Sequence, residues 1–235
     1  MEMNKKLLLA LGLGSMALLP TQASAHIAYF EITSLAPVVS GLSKTYSGGD
    51  TFESNFGWAA AADADWGDSH HAGWVKFLLS ELSAVNINVS RNPANSALTV
   101  GDLTPSFSLY SGELPNEAHD AATAGLSLLV GKEGLWNALG DTTMANDSDE
   151  IATILYLGHA GGVDSLATSV AWAGVLGPGV YTVAVGGSCG SEACRDDFTN
   201  RAYNMSLTTT PVPLPGAVWL MLTGLLGFVG IRKRN

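Results

Sequence analysis

The chain is short of cysteine, of basic residues and of charge altogether. Two cysteines among 235 residues are too few for a disulfide-built scaffold. Eleven Lys and Arg stand against 21 Asp and Glu, a net charge of −10. With an isoelectric point near 4.7, the chain lacks the basic face that a nucleic-acid binder needs to neutralise phosphates. Charged residues make up 14% of the sequence and hydrophobic ones 47%, too apolar a balance for a disordered chain. Glycine is abundant but follows no three-residue period, which excludes collagen. The sequence has no internal repeat, no H-E-x-x-H and no P-loop, and no nucleophile elbow is expected. Nothing selects a carboxylate pair for glycoside hydrolysis among the many acidic residues.

What is present begins at the ends, which explain why an acidic chain has a mean hydropathy of +0.23. Lys5 and Lys6 precede an apolar core over residues 7–19, and Ala23-Ser24-Ala25 follows as a small-x-small cleavage site. This is the layout of an export signal over residues 1–25, and the core is short for a membrane span. The other end is apolar from residue 217 to 231 and closes on Arg232, Lys233 and Arg234. With Leu214 and the preceding prolines the run approaches the length of a span, and the basic cluster orients it with its tip in the cytoplasm. A soluble helix would need a polar face, and this stretch has none.

The tail, with Val212-Pro213-Leu214-Pro215-Gly216, then 217–220, 224–227 and the basic cluster, resembles the VPLPA variety of PEP-CTERM sorting signals. Gly216 stands where that variety usually has alanine. The resemblance implies a Gram-negative bacterium, export through the inner membrane and transient anchoring by a C-terminal transmembrane helix. An exosortase would then relocate the protein to the cell surface or extracellular matrix. The partners implied are the export machinery and the exosortase. Residues 211–235 are therefore read as a sorting tail and residues 26–210 as the body. Glu2, Lys5, Lys6, Arg232, Lys233 and Arg234 fall in the two ends, leaving the body with a net charge of −14. Such a body repels polyanions and attracts cations.

Within the body, alternation and β-branched residues dominate. Strands are predicted over 27–34, 73–80, 85–90, 106–111, 126–130, 151–157, 169–175, 179–185 and 203–209, separated by Gly-, Asn-, Asp- and Pro-rich turns. Helical turns are compatible with 77–82 and 125–138. The pattern predicts an all-β antiparallel sandwich or jelly roll. Residues 105–112 and 176–187 resemble strands of the β-sandwich domains of secreted bacterial proteins. That resemblance implies a module that binds surfaces, glycans or calcium.

Candidate chemistry concentrates in residues 63–74. Asp63, Asp65 and Asp68 are candidate oxygen ligands for Ca²⁺, although the bidentate Glu of an EF-hand is missing. His70 and His71 suit copper or zinc. Read as the entry to a strand they point to opposite faces, so one of them lines a given site. His119 is the candidate second imidazole, with Glu117 and Asp120 as its supports. Trp66 or Trp74 would shield Cu(I) from water. His159 is read as lying in a glycine-rich loop. The Trp66, His70 or His71, and His119 set resembles the surface copper(I)-binding proteins of methane-oxidising bacteria, in which two histidines and an oxidised tryptophan surround the metal.

Cleavage after Ala25 would make His26 the mature N-terminus, able to chelate Cu²⁺ through its amine and imidazole. Cys189 and Cys194 in an exported chain predict a disulfide that shapes its loop. The leading expectation is a non-enzymatic exported binding protein, its ligand a copper or calcium ion or an extracellular polysaccharide. The alternatives are an adhesive matrix protein with a structural calcium loop, and a copper-dependent oxidative enzyme using His26. No nucleic-acid partner is expected.

Overall fold

Alternation along the strands builds two facing sheets. A computed structural model of the protein describes residues 27–58, 66–93, 102–121, 134–163, 165–195 and 197–213. One sheet has five strands in the order β12 (Ser169–Leu176), β6 (Ser83–Arg91), β14 (Asn200–Pro211), β3 (Ser43–Glu53) and β2 (Val38–Ser40). The other has seven: β1 (Tyr29–Glu31), β5 (Ala72–Leu79), β13 (Gly179–Gly187), β7 (Pro105–Ser111), β11 (Ile151–Ala160), β10 (Thr142–Ala145) and β8 (Asp120–Ala121). A separate two-stranded ladder pairs β4 (Trp66–Asp68) with β9 (Leu135–Asn137). The α-helix among the described residues is the single turn α1 (Glu192–Arg195). The protein is all-β and a β-sandwich, as the sequence predicts, and no helix of the described residues is long and apolar enough to cross a membrane.

The five-stranded sheet is two-faced because its sequences are. On β6, Val85, Ile87 and Val89 are buried while Asn86 and Asn88 turn outward; on β14, Tyr203, Met205 and Leu207 do the same opposite Asn204, Ser206 and Thr208. The inner set packs on Phe77, Leu79, Phe107, Leu109, Val183 and Val185 of the seven-stranded sheet. Each such side chain contributes about 1.5–3 kcal/mol by leaving water. The outer set is a neutral grid in register, with Asn88, Ser206 and Ser47 in one row and Asn86, Thr208 and Thr45 in the next. Hydroxyls bond across it, Thr45 to Thr208 at 2.9 Å and Ser43 to Thr210 at 2.7 Å.

The seven-stranded sheet is covered on both faces. Its far side carries a second core of Ile27, Trp58, Trp74, Tyr110, Trp136, Met144 and Ile154. Strands β7 and β13 are therefore buried along almost their whole length. Small residues line much of that face: Ser106, Ser108, Thr182 and Ala184 are buried alongside the larger Tyr110 and Trp74 of the second core.

Several boundaries differ from the sequence reading. Strand β3 was not predicted, since its two central glycines and polar content carry no strand signal. It forms because it pairs with β14 from Lys44 to Glu53, and a Cβ on Gly49 would lie 2.2 Å from the carbonyl oxygen of Tyr203. Residues 77–79 complete β5 instead of a helical turn, and 32–34 form a 3₁₀ turn, not the end of a strand. Within 125–138, residues 135–137 are strand β9. The last strand is longer than the predicted 203–209: β14 runs to Pro211, and Val212 N donates to Leu82 O at 2.9 Å. The predicted strand at 126–130 lies outside the described residues.

Candidate functional site

Strand β4 ends in Asp68, whose carboxylate caps a single 3₁₀ turn, Ser69–His71. Its Oδ1 accepts from His70 N at 2.9 Å and from His70 Nδ1 at 2.6 Å. Burial opposes ionisation of this carboxyl. The hydrogen bonds from the His70 imidazole and backbone, with the field of His70 and His71, outweigh it and hold the group below the usual carboxylate range. Asp68 therefore serves the histidine turn.

The turn corrects the expectation that His70 and His71 face apart. That rule belongs to strands, and residues 69–71 are not one. The two rings are neighbours, with centroids 6.3 Å apart and planes at 44°. His71 lies between Phe56, at 4.6 Å, and Phe198, at 5.8 Å. Its Nδ1 donates to the carbonyl of Glu53 at 3.3 Å. Both imidazoles thus engage Nδ1 with a fixed oxygen acceptor, the arrangement in which a histidine that binds a metal does so through Nε2. Gly134 packs against the turn from the other side. Its φ is +82°, its carbonyl accepts from Ser69 N at 2.8 Å, and a Cβ there would lie 2.3 Å from both Nδ1 and Cε1 of His70.

His119 is tied to this region through backbone, since Gly134 N donates to its carbonyl at 2.6 Å. Its ring is buried, and among the described residues it does not make a group of three with the pair that could hold a metal ion. Nδ1 donates to the Glu117 carbonyl at 2.9 Å, and Nε2 lies 3.3 Å from Asp147 Oδ1. The support predicted from the Glu117 carboxylate is thus a backbone oxygen, and Asp147 was missed. Trp66 is half-buried on β4, while Trp74 is fully buried against Trp136 and Tyr29, 5.4 and 6.3 Å away, inside the second core. Among the described residues no group of three or more His, Cys, Asp or Glu could hold a metal ion. Asp63, Asp65, His26, Ala23, Ala25, Leu214, Pro215, Gly216, Arg232, Lys233 and Arg234 lie outside the described residues.

Cys189 and Cys194 form the predicted disulfide. Beside it, against the expectation of no nucleophile elbow, Gly186-Gly187-Ser188-Cys189-Gly190 has the G-x-S-x-G spelling of one. Ser188 is fully buried and its hydroxyl donates to the Thr104 carbonyl at 3.0 Å. An elbow serine is exposed between a strand and a helix, so this one is structural.

No family model and no curated protein matches this chain. Solved structures do. One is CorA, described as a surface-associated copper-binding protein important in copper acquisition by Methylomicrobium album BG8. It is 12% identical, with 77% of this chain and 98% of that one covered and a TM-score of 0.48. Another is the secreted protein MopE of Methylococcus capsulatus, in which an oxidised tryptophan facilitates copper binding, at 14% identity, 74% and 86% coverage and a TM-score of 0.39. A third is the pre-peptidase C-terminal domain of a Bacillus anthracis collagenase, at 10% identity, 77% and 95% coverage and a TM-score of 0.32.

Two further features escaped the sequence reading. An open groove of about 600 Å³ is lined by Tyr29, Lys76, Glu113 and Glu150 among others. Lys76 closes part of it, bonded to Glu113 at 2.8 Å and lying 5.5 Å from the Tyr29 ring centre. The second is the pairing of Tyr156 with His159: the histidine read as a loop residue lies on β11, where its Nδ1 meets the hydroxyl of Tyr156 at 2.5 Å.

Proposed function

We propose that the protein is an exported, non-enzymatic surface module that holds one Cu(I) ion between His70 and His71. The observation that carries this reading is the pair of imidazoles 6.3 Å apart, each with Nδ1 engaged by an oxygen, Asp68 Oδ1 and Glu53 O. Imidazole–metal bonds of about 2 Å fit between rings at that separation. A two-nitrogen set suits a soft monovalent ion such as Cu(I), which accepts two ligands. Zinc and calcium require four or more. Asp68 is committed to His70, so a calcium loop would rest on Asp63 and Asp65. Export and exosortase sorting are supported by the signal layout of residues 1–25 and the tail over 211–235.

Anaerobic titration of the purified mature protein with Cu(I), in competition with a chromophoric chelator, tests the metal reading. One equivalent should bind, and His70→Ala and His71→Ala should each abolish it, while His119→Ala retains it. Binding that survives both turn variants would reject the site. Intact mass of the secreted form reads both ends of the chain.

A further inference from the structure

We infer that Tyr156 and His159 form a proton-coupled one-electron relay, the place where an oxidising equivalent in the aromatic core comes to rest. The proposal is independent of the metal site.

The pair exists because of an irregularity in β11. Residues three apart on a regular strand face opposite sides. Here the register shifts between Tyr156 and Gly158, leaving Leu157 as the extra residue of a β-bulge. Tyr156 then pairs with Tyr110 and His159 with Ser108, two positions apart on β7, so both side chains share a face. The rings stack with centroids 6.3 Å apart at 26°. Tyr156 Oη and His159 Nδ1 lie 2.5 Å apart, a hydrogen bond that the phenol donates in the tautomer whose proton sits on Nε2.

Behind the pair runs a continuous aromatic path. Tyr156 meets Tyr110 at 5.9 Å, Tyr110 meets Trp136 at 6.2 Å, and Trp136 meets Trp74 at 5.4 Å. His159 also meets Trp58 at 5.7 Å. Electrons cross such gaps readily, so the proton decides where an oxidising equivalent stays. An oxidised phenol or indole is a strong acid, and it settles as a neutral radical only where a base accepts its proton.

Most members of the path have no base. Trp74 and Trp136 are buried, and Nε1 of each has no hydrogen-bond partner among the described residues. Tyr110 donates to the Asn137 carbonyl at 2.6 Å, and Trp58 donates to the Ser108 hydroxyl at 2.9 Å. Neither oxygen is a base near neutral pH. Tyr156 alone faces an imidazole nitrogen, a group that is a base near neutral pH. Burial raises its phenol above the usual tyrosine range, so the proton stays on oxygen until an electron leaves.

An outer-sphere oxidant of the one-electron metal-complex class, such as a polypyridyl ruthenium(III), takes one electron from Tyr156 at the surface and is itself reduced by one. The phenolic O–H bond breaks, its proton moves to His159 Nδ1, and a neutral phenoxyl radical faces an imidazolium. A one-electron reductant of the thiol or enediol class restores the electron, and the proton returns.

The test uses metal-free protein, with chelator present, and flash-generated tris(bipyridine)ruthenium(III) as oxidant. Transient absorption and electron paramagnetic resonance should show a neutral tyrosyl radical. Tyr156→Phe keeps the ring against Tyr110 and should replace that signal with a tryptophan radical. His159→Gln should slow tyrosyl formation by about two orders of magnitude, within what a positioned proton acceptor contributes. Circular dichroism confirms that both variants fold. A tyrosyl signal unchanged in Tyr156→Phe, or formed at the wild-type rate in His159→Gln, would overturn the proposal.

Discussion

Arg201 reaches Asp102, 99 positions away in sequence, with a two-point contact: Nε to Oδ1 at 2.8 Å and Nη2 to Oδ2 at 3.2 Å. The guanidinium is 2% exposed. It also donates to Thr199 O at 2.9 Å and to Asp197 Oδ2 at 2.7 Å. One buried cation thus fastens the start of β14 to the segment leading into β7.

Truncation of that cation should be costly. Arg201→Ala removes four hydrogen bonds and leaves a hole, but both carboxylates remain in contact with water. The expected loss is about 2–3 kcal/mol, below the range for a fully buried pair. Arg201→Lys keeps the charge without the planar fork and should lose about half as much. Urea unfolding measures both, and equal losses would show that the fork geometry is irrelevant.

The same cluster sets an acid dependence. Hydrogen bonds from the Thr199 side chain and from Arg201 hold the Asp197 carboxyl far below the usual carboxylate range. A depressed folded value contributes stability above the unfolded value of about 3.9, which is lost as pH falls below it. The urea midpoint should be flat above about pH 5 and decline below about pH 4. In Asp197→Asn the decline should be shallower. Parallel curves would place the acid sensitivity elsewhere.

The disulfide should matter modestly. Cys189 and Cys194 are five positions apart, and chain entropy assigns so short a loop about 2 kcal/mol. Cys189 N also donates to Asn55 O at 2.9 Å, a bond that does not need the bridge. The double Ser variant should fold, with stability lower by about 2 kcal/mol or less in urea.

The sequence made some of this legible. Strands β6, β12 and β13 alternate or run apolar between clear turn signals, and their positions were predicted closely. The disulfide followed from two cysteines in an exported chain. Strand β3 was not readable, because Gly48 makes room for the Phe30 ring and Gly49 for the backbone of β14, a partner some 150 residues away. The histidine turn hinged on one local event, Asp68 capping His70 N, which converts a strand entry into a 3₁₀ turn and reverses the facing of two side chains. The Tyr156–His159 pair depends on a one-residue bulge, and alternation rules place that pair on opposite faces.

Gly134 gives the strictest test of the histidine turn, because it touches the site without being a ligand. A Cβ there would lie 2.3 Å from two ring atoms of His70, and the backbone already has φ +82°. Gly134→Ala must therefore displace the imidazole or strain the loop. Asp68→Asn provides the complement, since it leaves space unchanged and removes the charge that orients His70. Loss of an outer-shell partner weakens metal binding by about 10–100-fold, and both variants should fall in that range for Cu(I). Two readouts separate the causes. Gly134→Ala should lower the unfolding midpoint as well as the affinity, whereas Asp68→Asn should act chiefly on affinity. Wild-type Cu(I) affinity in both variants would mean that His70 is not a ligand, whatever its distance from His71.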